Sequence, residues 1–466
     1  FWPRREGCRD PGRPPAPRMV ATARVRFIGD EVGEGGDEHH PGWRYATLVE
    51  AGNRKLYAPP LNASRVLEID PEARSARPIG EELPAGDWKY LAAIAAGNGR
   101  LYAPPCNAKQ VLEVDPASGT ARLIGEEFPA CPWKYRSVVE ARNGRLYAPP
   151  YGAGRVLEID PLAGTTCLIG DELQGDDQKY LVITAASNGR LYALPCNVGH
   201  VLEIDPATST VRLIGEEIPR RQWKNYVAVG EVNGRLYAPP CWGAMHVLEI
   251  DPVAGTSCSF GEEVPEYGEK YWAVGVAGNG RLYAPPCDAG HVLEIDPARG
   301  TTSSIGEAIP GGIGKYWTLA RGENGRLYAP PYNASRVLEI DPVARSVRCI
   351  GEELPGSRKY QVVAAIDGKL YAPPCGAGQV LEIDPATSSA RLIGGDLGGV
   401  FWKKYVAVAA AGGGGRLYAP PCLGRGRVLE IGPEDPSGEQ AQPPAEKRPR
   451  TCSGDDPPPC GGVGAE

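Results

Sequence analysis

The chain has 466 residues, and its 61 glycines and 47 prolines favour turns over helices. A formal net charge of −7 argues against general nucleic-acid binding, which needs a basic surface. No run approaches the roughly 18 apolar residues of a membrane-spanning helix, so we expect no membrane segment.

The two ends of the chain have the composition of disordered segments. Residues 1–21 are rich in arginine and proline, and residues 433–466 are rich in proline, glycine and charge. Such segments bury too little apolar surface to offset the loss of chain entropy on folding. Within the second segment, residues 447–450 match a nuclear localisation signal, although a solvated basic cluster is the commoner explanation.

A unit of about 45 residues recurs throughout residues 22–432. Its most regular landmark is the tripeptide Leu-Tyr-Ala, which occurs nine times with 43 to 47 residues between successive tyrosines. Self-similarity at a fixed period of this length indicates a repeat architecture. The nine tyrosines are Tyr57, Tyr102, Tyr147, Tyr192, Tyr237, Tyr283, Tyr328, Tyr371 and Tyr418.

Each unit carries four strand signals, which are clear in the second unit. Asn98 and Gly99 follow a short apolar run and suit a two-residue hairpin turn with positive φ at both positions. Pro104 and Pro105 stop the next strand, because proline cannot donate to a strand ladder. An Asp-Pro turn separates the last two strands. We therefore expect strands at residues 91–96, 100–103, 111–114 and 121–124.

Four antiparallel strands in a repeat of this length are typical of a β-propeller blade. One blade cannot bury both of its faces, so blades stack around an axis and close into a ring. Residues 24–29 match a fourth strand with no first three before it, and residues 405–431 supply three strands with no fourth. We predict an all-β fold: a single propeller of nine four-stranded blades, in which the N-terminal strand completes the C-terminal blade. A ring of eight blades with a spare unit is the alternative.

Three positions hardly change between units: the glutamate of the third strand, the lysine before the first-strand tyrosine, and the tyrosine of Leu-Tyr-Ala. A residue repeated in every blade holds blades together more readily than it catalyses, since catalysis needs one site. We predict that each glutamate is partly buried and meets a lysine or a tyrosine hydroxyl, because an unpaired buried carboxylate is unfavourable. The glutamates are Glu68, Glu113, Glu158, Glu203, Glu249, Glu294, Glu339, Glu382 and Glu430.

One face of the predicted ring carries the long connections, such as residues 104–110 and 125–133, and we call it the long-loop face. Variable loops on a rigid ring make it the expected working face. Acidic pairs such as Glu126 and Glu127 recur there, and they suit cationic partners, basic peptides or sugars. The alternative is a solvated rim with tryptophans wedged between blades. The tryptophans of these loops are Trp43, Trp88, Trp133, Trp223 and Trp402.

Six of the 13 cysteines occupy one repeat position, directly after the proline pair. Other units have Leu61, Tyr151 and Tyr332 there, so the position is that of an apolar packing residue. An odd total argues against a disulfide framework, and we expect a reducing, cytoplasmic compartment, with the nucleus as the alternative. The six cysteines are Cys106, Cys196, Cys241, Cys287, Cys375 and Cys422.

Units four to six differ from the others where the third strand opens. His200, His246 and His291 stand there, and the same units carry Cys196, Cys241 and Cys287. Because thiolate and neutral imidazole are zinc ligands, these six residues are a candidate metal site, with calcium as another possible ion. The alternatives are interchangeable polar strand openers or a patch for an anionic or aromatic ligand. The candidate ligand-binding residues are His200, His246, His291, Trp242, Trp88, Trp133 and Trp223.

Residues 201–208, Val-Leu-Glu-Ile-Asp-Pro-Ala-Thr, and the strand at 211–215 that follows resemble the strand-turn-strand element of NHL-like and quinoprotein-like propellers. Sugar-lactonase and streptogramin-lyase propellers share this style of turn, and the near-identity of the units resembles tandem-repeat propellers of protists. The resemblance covers nearly all of residues 22–432 and implies architecture. The acidic and asparagine metal ligands of the lactonases do not match single positions here.

No catalytic signature is present: there is no Gly-x-Ser-x-Gly, no phosphate-binding loop and no His-Glu-x-x-His. We predict a monomeric, non-catalytic binding or scaffold protein that takes a protein partner or a small polar ligand on the long-loop face. The alternative is a metal-dependent hydrolase or lyase of the lactonase kind, with its site at the channel mouth. A third hypothesis is a structural module within a longer polypeptide.

Overall fold

A computed structural model of the chain describes residues 23–32, 43–175, 178–218, 226–264, 268–398, 403–411, 415–423 and 426–433. In these residues, 36 strands form nine four-stranded antiparallel sheets. The predicted all-β, nine-bladed propeller is confirmed. No helix in the described part is long and apolar enough to cross a membrane. The predictions for residues 1–21, for 434–466 with the basic cluster, and for Trp223 lie outside the described residues.

In blades one to eight the four strands follow in chain order, whereas in blade nine the N-terminal strand takes the fourth place. First strands of neighbouring blades, such as blades one and two, contact one another around the axis. The first strands are Val49–Glu50, Ile94–Ala95, Val139–Glu140, Tyr180–Ala185, Gly230–Val232, Gly275–Val276, Ala320–Arg321, Ala364–Ile366 and Ala409–Ala411. The second strands are Leu56–Ala58, Leu101–Ala103, Leu146–Ala148, Leu191–Pro195, Arg235–Ala238, Leu282–Ala284, Leu327–Ala329, Lys369–Ala372 and Arg416–Ala419.

The third and fourth strands form the outer half of each blade. The third strands are Val66–Asp70, Val111–Asp115, Val156–Asp160, Val201–Asp205, Val247–Asp251, Val292–Asp296, Val337–Asp341, Val380–Asp384 and Gly426–Pro433. The fourth strands are Ser75–Ile79, Thr120–Ile124, Thr165–Ile169, Thr210–Ile214, Thr256–Phe260, Thr301–Ile305, Ser346–Ile350, Ser389–Ile393 and, for blade nine, Ala23–Val32.

Most first strands are shorter than the sequence predicts. In blade two the ladder covers only Ile94–Ala95, whereas the apolar run predicts residues 91–96. The neighbouring strand ends at two prolines, which have no N–H with which to extend the ladder. Blade four has Leu194 in place of the first proline, and there the first strand runs over Tyr180–Ala185 and pairs Val182 with Leu194. The proline pair therefore limits the innermost strand.

Among the described residues, the hairpin between first and second strands takes two forms. The predicted turn, with positive φ at both positions, forms in blades five and eight, where φ is 52° at Asn233 and 48° at Asp367. In blade two only Gly99 has a positive φ, of 83°, and Oδ1 of Asn98 accepts a hydrogen bond from the Arg100 N–H over 3.0 Å. The prediction is wrong for blade two, because an extra residue makes a three-residue loop with a left-handed last position.

Nine clusters of buried apolar side chains hold the ring together, one at each contact between neighbouring blades. Between blades two and three, Tyr102 and Val111 pack with Leu146 and Ile159. Because each blade face is covered by the next blade, the ring has no exposed apolar end.

The two ends of the chain close the ring within one blade. Ala23–Val32 pairs antiparallel with Gly426–Pro433, and Arg26 lies opposite Glu430. The Nε of Arg26 is 2.7 Å from Oε1 of Glu430. The prediction that the N-terminal strand completes the C-terminal blade is confirmed.

The nine third-strand glutamates are all buried. In blade two the Tyr102 hydroxyl donates to Oε2 of Glu113 over 3.0 Å, and Arg100 and Arg122 donate to Oε1 over 3.0 and 2.7 Å. The tyrosine partner is the predicted one. The basic partners in blade two are Arg100, directly before the second strand, and Arg122 of the fourth strand, and Lys55 and Lys369 take the place of the first arginine in blades one and eight.

The repeated lysine before the first-strand tyrosine bonds to carbonyl oxygens of the loops. Lys89 Nζ donates to the carbonyl oxygen of Gly86 over 2.9 Å, and Lys134 Nζ donates to that of Cys131 over 2.9 Å. Burial lowers the pKa of both lysines. The prediction that each glutamate meets a lysine or a tyrosine hydroxyl is therefore met in blade two by Tyr102, while the ammonium groups of these two lysines satisfy loop carbonyls.

Candidate functional site

A cavity of about 610 Å³ lies at the centre of the long-loop face, and we call it the axial cavity. Its lining residues come from eight of the nine blades, which is possible only on the ring axis. Six of them are aromatic: Trp43, Trp88, Trp133, Tyr151, Trp272 and Trp317. The others are Ala46, Leu91, Arg136, Gln178, Gln361, Lys403 and Val406.

Tryptophan is concentrated at this site. The chain has nine tryptophans, of which Trp2, Trp223 and Trp402 lie outside the described residues. Five of the remaining six line the axial cavity. A small-molecule site has this character: a concave, mostly apolar surface with a few polar groups.

The tryptophans of blades two and three have a strained backbone. Trp88 and Trp133 each have a φ of 56°, a left-handed conformation that is rare for bulky residues. The N–H of Trp88 donates to Oδ1 of Asn62 over 2.7 Å, and that of Trp133 donates to Oδ1 of Asn107 over 2.8 Å. A loop of the preceding blade thus holds the backbone of each tryptophan. Strain of this kind costs on the order of 1–3 kcal/mol and clusters at binding and active sites.

Three of these indoles form one wall of the cavity. The ring centroids of Trp43 and Trp88 are 4.6 Å apart with an interplanar angle of 56°, and those of Trp88 and Trp133 are 4.9 Å apart with an angle of 57°. Tilted rings at this spacing attract each other through their edges and faces. The wall is therefore a curved aromatic surface across blades one to three.

A second aromatic group comes from blades six and seven. The rings of Trp272 and Trp317 are parallel, with centroids 4.7 Å apart and an angle of 4°, and Trp317 also stacks on Tyr332 at 4.6 Å. Blade seven has Gly314 at the position that holds tryptophan in blades one to three. Trp272 is the last ring of this stack and lines the cavity.

Two cationic side chains lie over aromatic rings of the cavity. The Nζ of Lys403 is 3.0 Å from the ring centroid of Trp43. The Cζ of Arg136 is 5.6 Å from the ring centroid of Trp133 and 4.8 Å from that of Tyr151. Burial lowers the pKa of the Lys403 ammonium. The polar side chains of the lining thus offer many hydrogen-bond donors.

The carboxylate of Glu269 is bound by two indoles. Oε1 of Glu269 accepts a hydrogen bond from Trp242 Nε1 over 2.9 Å, and Oε2 accepts one from Trp272 Nε1 over 2.9 Å. Glu269 orients Trp272 and does not itself line the axial cavity. Of the predicted ligand-binding residues, Trp88 and Trp133 line the cavity and Trp242 lies beside it.

The acidic pairs lie apart from these tryptophans, on exposed loops. Oε2 of Glu127 is 3.2 Å from Nζ of Lys109, and Oε1 of Glu353 is 3.3 Å from Nη2 of Arg336. Exposed pairs of this kind stabilise the fold little. The acidic and aromatic features that the sequence places on one face therefore form two zones, an acidic rim and an aromatic centre.

The three histidines do not line the axial cavity. The backbone carbonyls of His200, His246 and His291 each accept a hydrogen bond from the first-strand tyrosine hydroxyl of the same blade, over 3.3, 3.1 and 3.2 Å. Gln110 accepts the same bond in blade two, over 3.1 Å. Because the backbone makes the repeated contact, the side chain at this position varies.

The candidate metal ligands are not brought together. Cys196, Cys241 and Cys287 are buried, and burial raises the pKa of the Cys196 and Cys241 thiols to about 12. Metals bind the thiolate, so this environment disfavours ligation. No three His, Cys, Asp or Glu side chains of the described residues form a group that could hold a metal ion. The ten described cysteines are all free thiols.

Sequence reasoning missed part of the site. Trp272, Trp317 and Arg136 directly follow the first-strand tyrosine, where most other units have small or aliphatic residues such as Ala46 and Val406. This departure from the repeat is visible in the sequence. Its meaning depends on the structure, which shows that this position faces the axis.

No family model matches the chain, and no curated protein matches it. Among solved structures, it is similar to the computationally designed Ika8 protein at 10% identity, with 87% of this chain and 100% of that chain covered and a TM-score of 0.50. Virginiamycin B lyase from Staphylococcus aureus is 12% identical, with 63% of this chain and 93% of that chain covered and a TM-score of 0.45. The extracellular domain of a one-component system from B. thetaiotaomicron is 11% identical, with 85% of this chain and 59% of that chain covered and a TM-score of 0.40. At identities this low the likeness extends to the fold alone, that of a β-propeller.

Proposed function

We propose that the protein is a non-catalytic binding protein that takes a small ligand with a flat apolar ring into the axial cavity. The observation that carries this proposal is the convergence of five tryptophans from five blades on one cavity. Its volume of about 610 Å³ lies within the roughly 300–1,000 Å³ of small-molecule sites. One chain supplies the whole cavity, so we expect one ligand per monomer.

The pattern of repetition supports the same proposal. Positions that pack blades, such as Leu101 and Tyr102, recur in every unit, whereas the position after the first-strand tyrosine is Ala46, Arg136 or Trp272 in different units. Packing alone would favour one residue at each equivalent position. Diversity at a position that faces the axis is expected where a single asymmetric ligand is bound.

The lining residues favour binding over catalysis. Among the described residues, the lining includes no carboxylate, histidine or cysteine, the commonest general acids, bases and nucleophiles. The hydrolase or lyase alternative would place such groups at the channel mouth. The aromatic wall instead offers stacking area, which contributes affinity without chemistry.

Titration calorimetry with 2-naphthol, a neutral two-ring probe, tests the proposal. We expect one site per chain in the parent and loss of binding in Ala46→Trp, which fills the cavity. This substitution is compatible with the repeat, since Trp272 and Trp317 occupy the same position in blades six and seven. Trp88→Phe, which keeps a ring, should bind within about threefold of the parent, whereas Trp88→Ala should weaken binding at least about tenfold. Equal binding by the parent and Ala46→Trp would refute the proposal.

A further inference from the structure

The charge of the axial cavity is opposite to that of the whole protein. The chain has a net charge of −7, and its long-loop rim is acidic. The cavity lining nevertheless includes the cations Arg136 and Lys403 and, among the described residues, no carboxylate. Glu269, the acidic residue bonded to the lining, has both oxygens in hydrogen bonds to indoles.

The two cations lie on the aromatic surface, where a ligand ring would also lie. Lys403 Nζ is 3.0 Å from the Trp43 centroid, and Arg136 lies over both Trp133 and Tyr151. A cationic ligand would find these faces covered by like charge, although bare tryptophan faces attract cations. An anionic group beside the rings would instead gain charge-assisted hydrogen bonds from both side chains.

The lining also has donors without acceptors. Nε of Arg136 and Nε1 of Trp317 are buried and have no hydrogen-bond partner among the described residues. A buried donor without an acceptor is unfavourable, so such groups at a cavity wall indicate that an acceptor-rich molecule completes the site. The amides of Gln178 and Gln361 add further polar contacts.

From these three observations we infer that the ligand class of the axial cavity is a planar aromatic anion, whose ring lies on the tryptophans and whose acidic group binds Arg136 and Lys403. This inference rests on the proposed function and narrows it. Arg136 and Lys403 then determine the charge specificity of the site, while the tryptophans supply affinity for the ring.

Three probes that share one ring system test the inference: 2-naphthoate, 2-naphthamide and 2-naphthylmethylammonium. We expect the parent to bind naphthoate about tenfold more tightly than naphthamide, as one charged hydrogen bond allows, and to bind the cation most weakly. Arg136→Gln and Lys403→Met should each weaken naphthoate binding about fivefold to tenfold and change naphthamide binding less than about twofold. Arg155→Gln removes an exposed positive charge of the same face outside the cavity and should leave all three affinities unchanged.

Ala46→Trp separates failure of this inference from failure of the proposed function. If the three probes bind the parent equally, or the cation binds best, and Ala46→Trp abolishes binding, the cavity binds rings and the inference about charge is wrong. If Ala46→Trp changes the binding of none of the probes, the proposed function itself is wrong, and the inference falls with it. If Arg155→Gln also loses the preference for naphthoate, as Arg136→Gln and Lys403→Met should, the electrostatic field of the whole face selects the anion and the cavity does not.

Discussion

Asn98 of blade two donates a hydrogen bond from Nδ2 to the carbonyl oxygen of Pro161 in blade three, over 2.9 Å. The same Nδ2 donates to the Tyr102 hydroxyl over 2.9 Å. The turn of one blade is thereby tied to the outer turn of the next, on the face opposite the axial cavity. Equivalent bonds join Asn53 to Pro116, Asn143 to Pro206, Asn188 to Pro252, Asn279 to Pro342 and Asn324 to Pro385.

Replacement of this asparagine should destabilise the ring. In Asn98→Ala, three hydrogen bonds are lost, and we expect the free energy of unfolding to fall by about 2 kcal/mol. Urea titration followed by far-ultraviolet circular dichroism measures the change. Ser118→Ala, at an exposed turn of the same blade, is the matched control and should change stability by less than about 0.5 kcal/mol. Equal stability of the two variants would show that the bond between blades contributes nothing.

The buried glutamates should be required for stability. Glu203 accepts hydrogen bonds from Arg190, Arg212 and the Tyr192 hydroxyl, over 3.0, 2.6 and 3.0 Å. Glu203→Gln removes the charge that both guanidinium groups face, so we expect a loss of about 3 kcal/mol in the free energy of unfolding. Urea titration measures it, with the exposed Glu126→Gln as control. An unchanged midpoint in Glu203→Gln would contradict the structural role.

The proline pair should set the length of the innermost strand. Leu194→Pro restores in blade four the proline of the other blades, so we expect residues 180–183 to lose ladder hydrogen bonds. Hydrogen–deuterium exchange with mass spectrometry should show faster exchange there and unchanged exchange in Val201–Asp205. Slow exchange of residues 180–183 in the variant would mean that another interaction determines the strand length.

A side chain that only orients a tryptophan should affect binding. Asn62→Ala removes the acceptor that holds the strained Trp88 backbone, so we expect the affinity for 2-naphthol to fall about fivefold, which corresponds to about 1 kcal/mol. Asn53→Ala changes the same residue type in the same blade on the opposite face. It should leave affinity unchanged, even if stability falls. Equal affinity in both variants would show that Asn62 does not position the ring.

Alkaline conditions should destabilise the protein through its buried thiols. Burial raises the pKa of Cys241 from 9.0 to about 12. Between these values the unfolded chain releases the proton while the folded chain retains it, so stability is present below pH 9 and is lost as the pH rises toward 12. In this pH range the free energy of unfolding should therefore fall less steeply with pH in Cys241→Ala than in the parent. The two slopes should differ by about 1.4 kcal/mol per pH unit.

Urea midpoints between pH 9.5 and 11 measure this difference in slope. Ser259→Ala, an exposed substitution in the same blade as Cys241 that removes no titratable group, should keep the parental slope. Each substitution also lowers the free energy of unfolding by an amount that does not depend on pH, and this amount does not change the slope. The tyrosines titrate alike in all three proteins, so they do not change the difference between slopes. Parallel slopes for the parent and Cys241→Ala would show that this thiol ionises equally well in the folded chain.

Local sequence patterns predicted the strands most reliably where the same pattern recurs from unit to unit. The third strand occurs in every unit and the Asp-Pro turn follows it in eight of the nine, and Val111–Asp115 differs from the predicted residues 111–114 by one position. The first strand was less predictable, since its apolar run does not reveal that the proline pair opposite leaves it few ladder partners. Of the two predicted kinds of partner for the glutamates, the tyrosine hydroxyl is the one found in blade two, while Lys89 bonds to a loop carbonyl.

The sequence by itself determined the nine blades, their four strands and the closure of the ring, because each depends on short patterns that recur at a fixed interval. Only the tertiary structure determined which of the residues that differ between blades meet at one site. Trp88 and Trp272 belong to blades two and six, and the closed ring brings both to one cavity. The direction in which Arg136 and Lys403 point depends on that curvature, which no local pattern encodes, so the cationic, aromatic centre beneath an acidic rim is a property of the assembled ring.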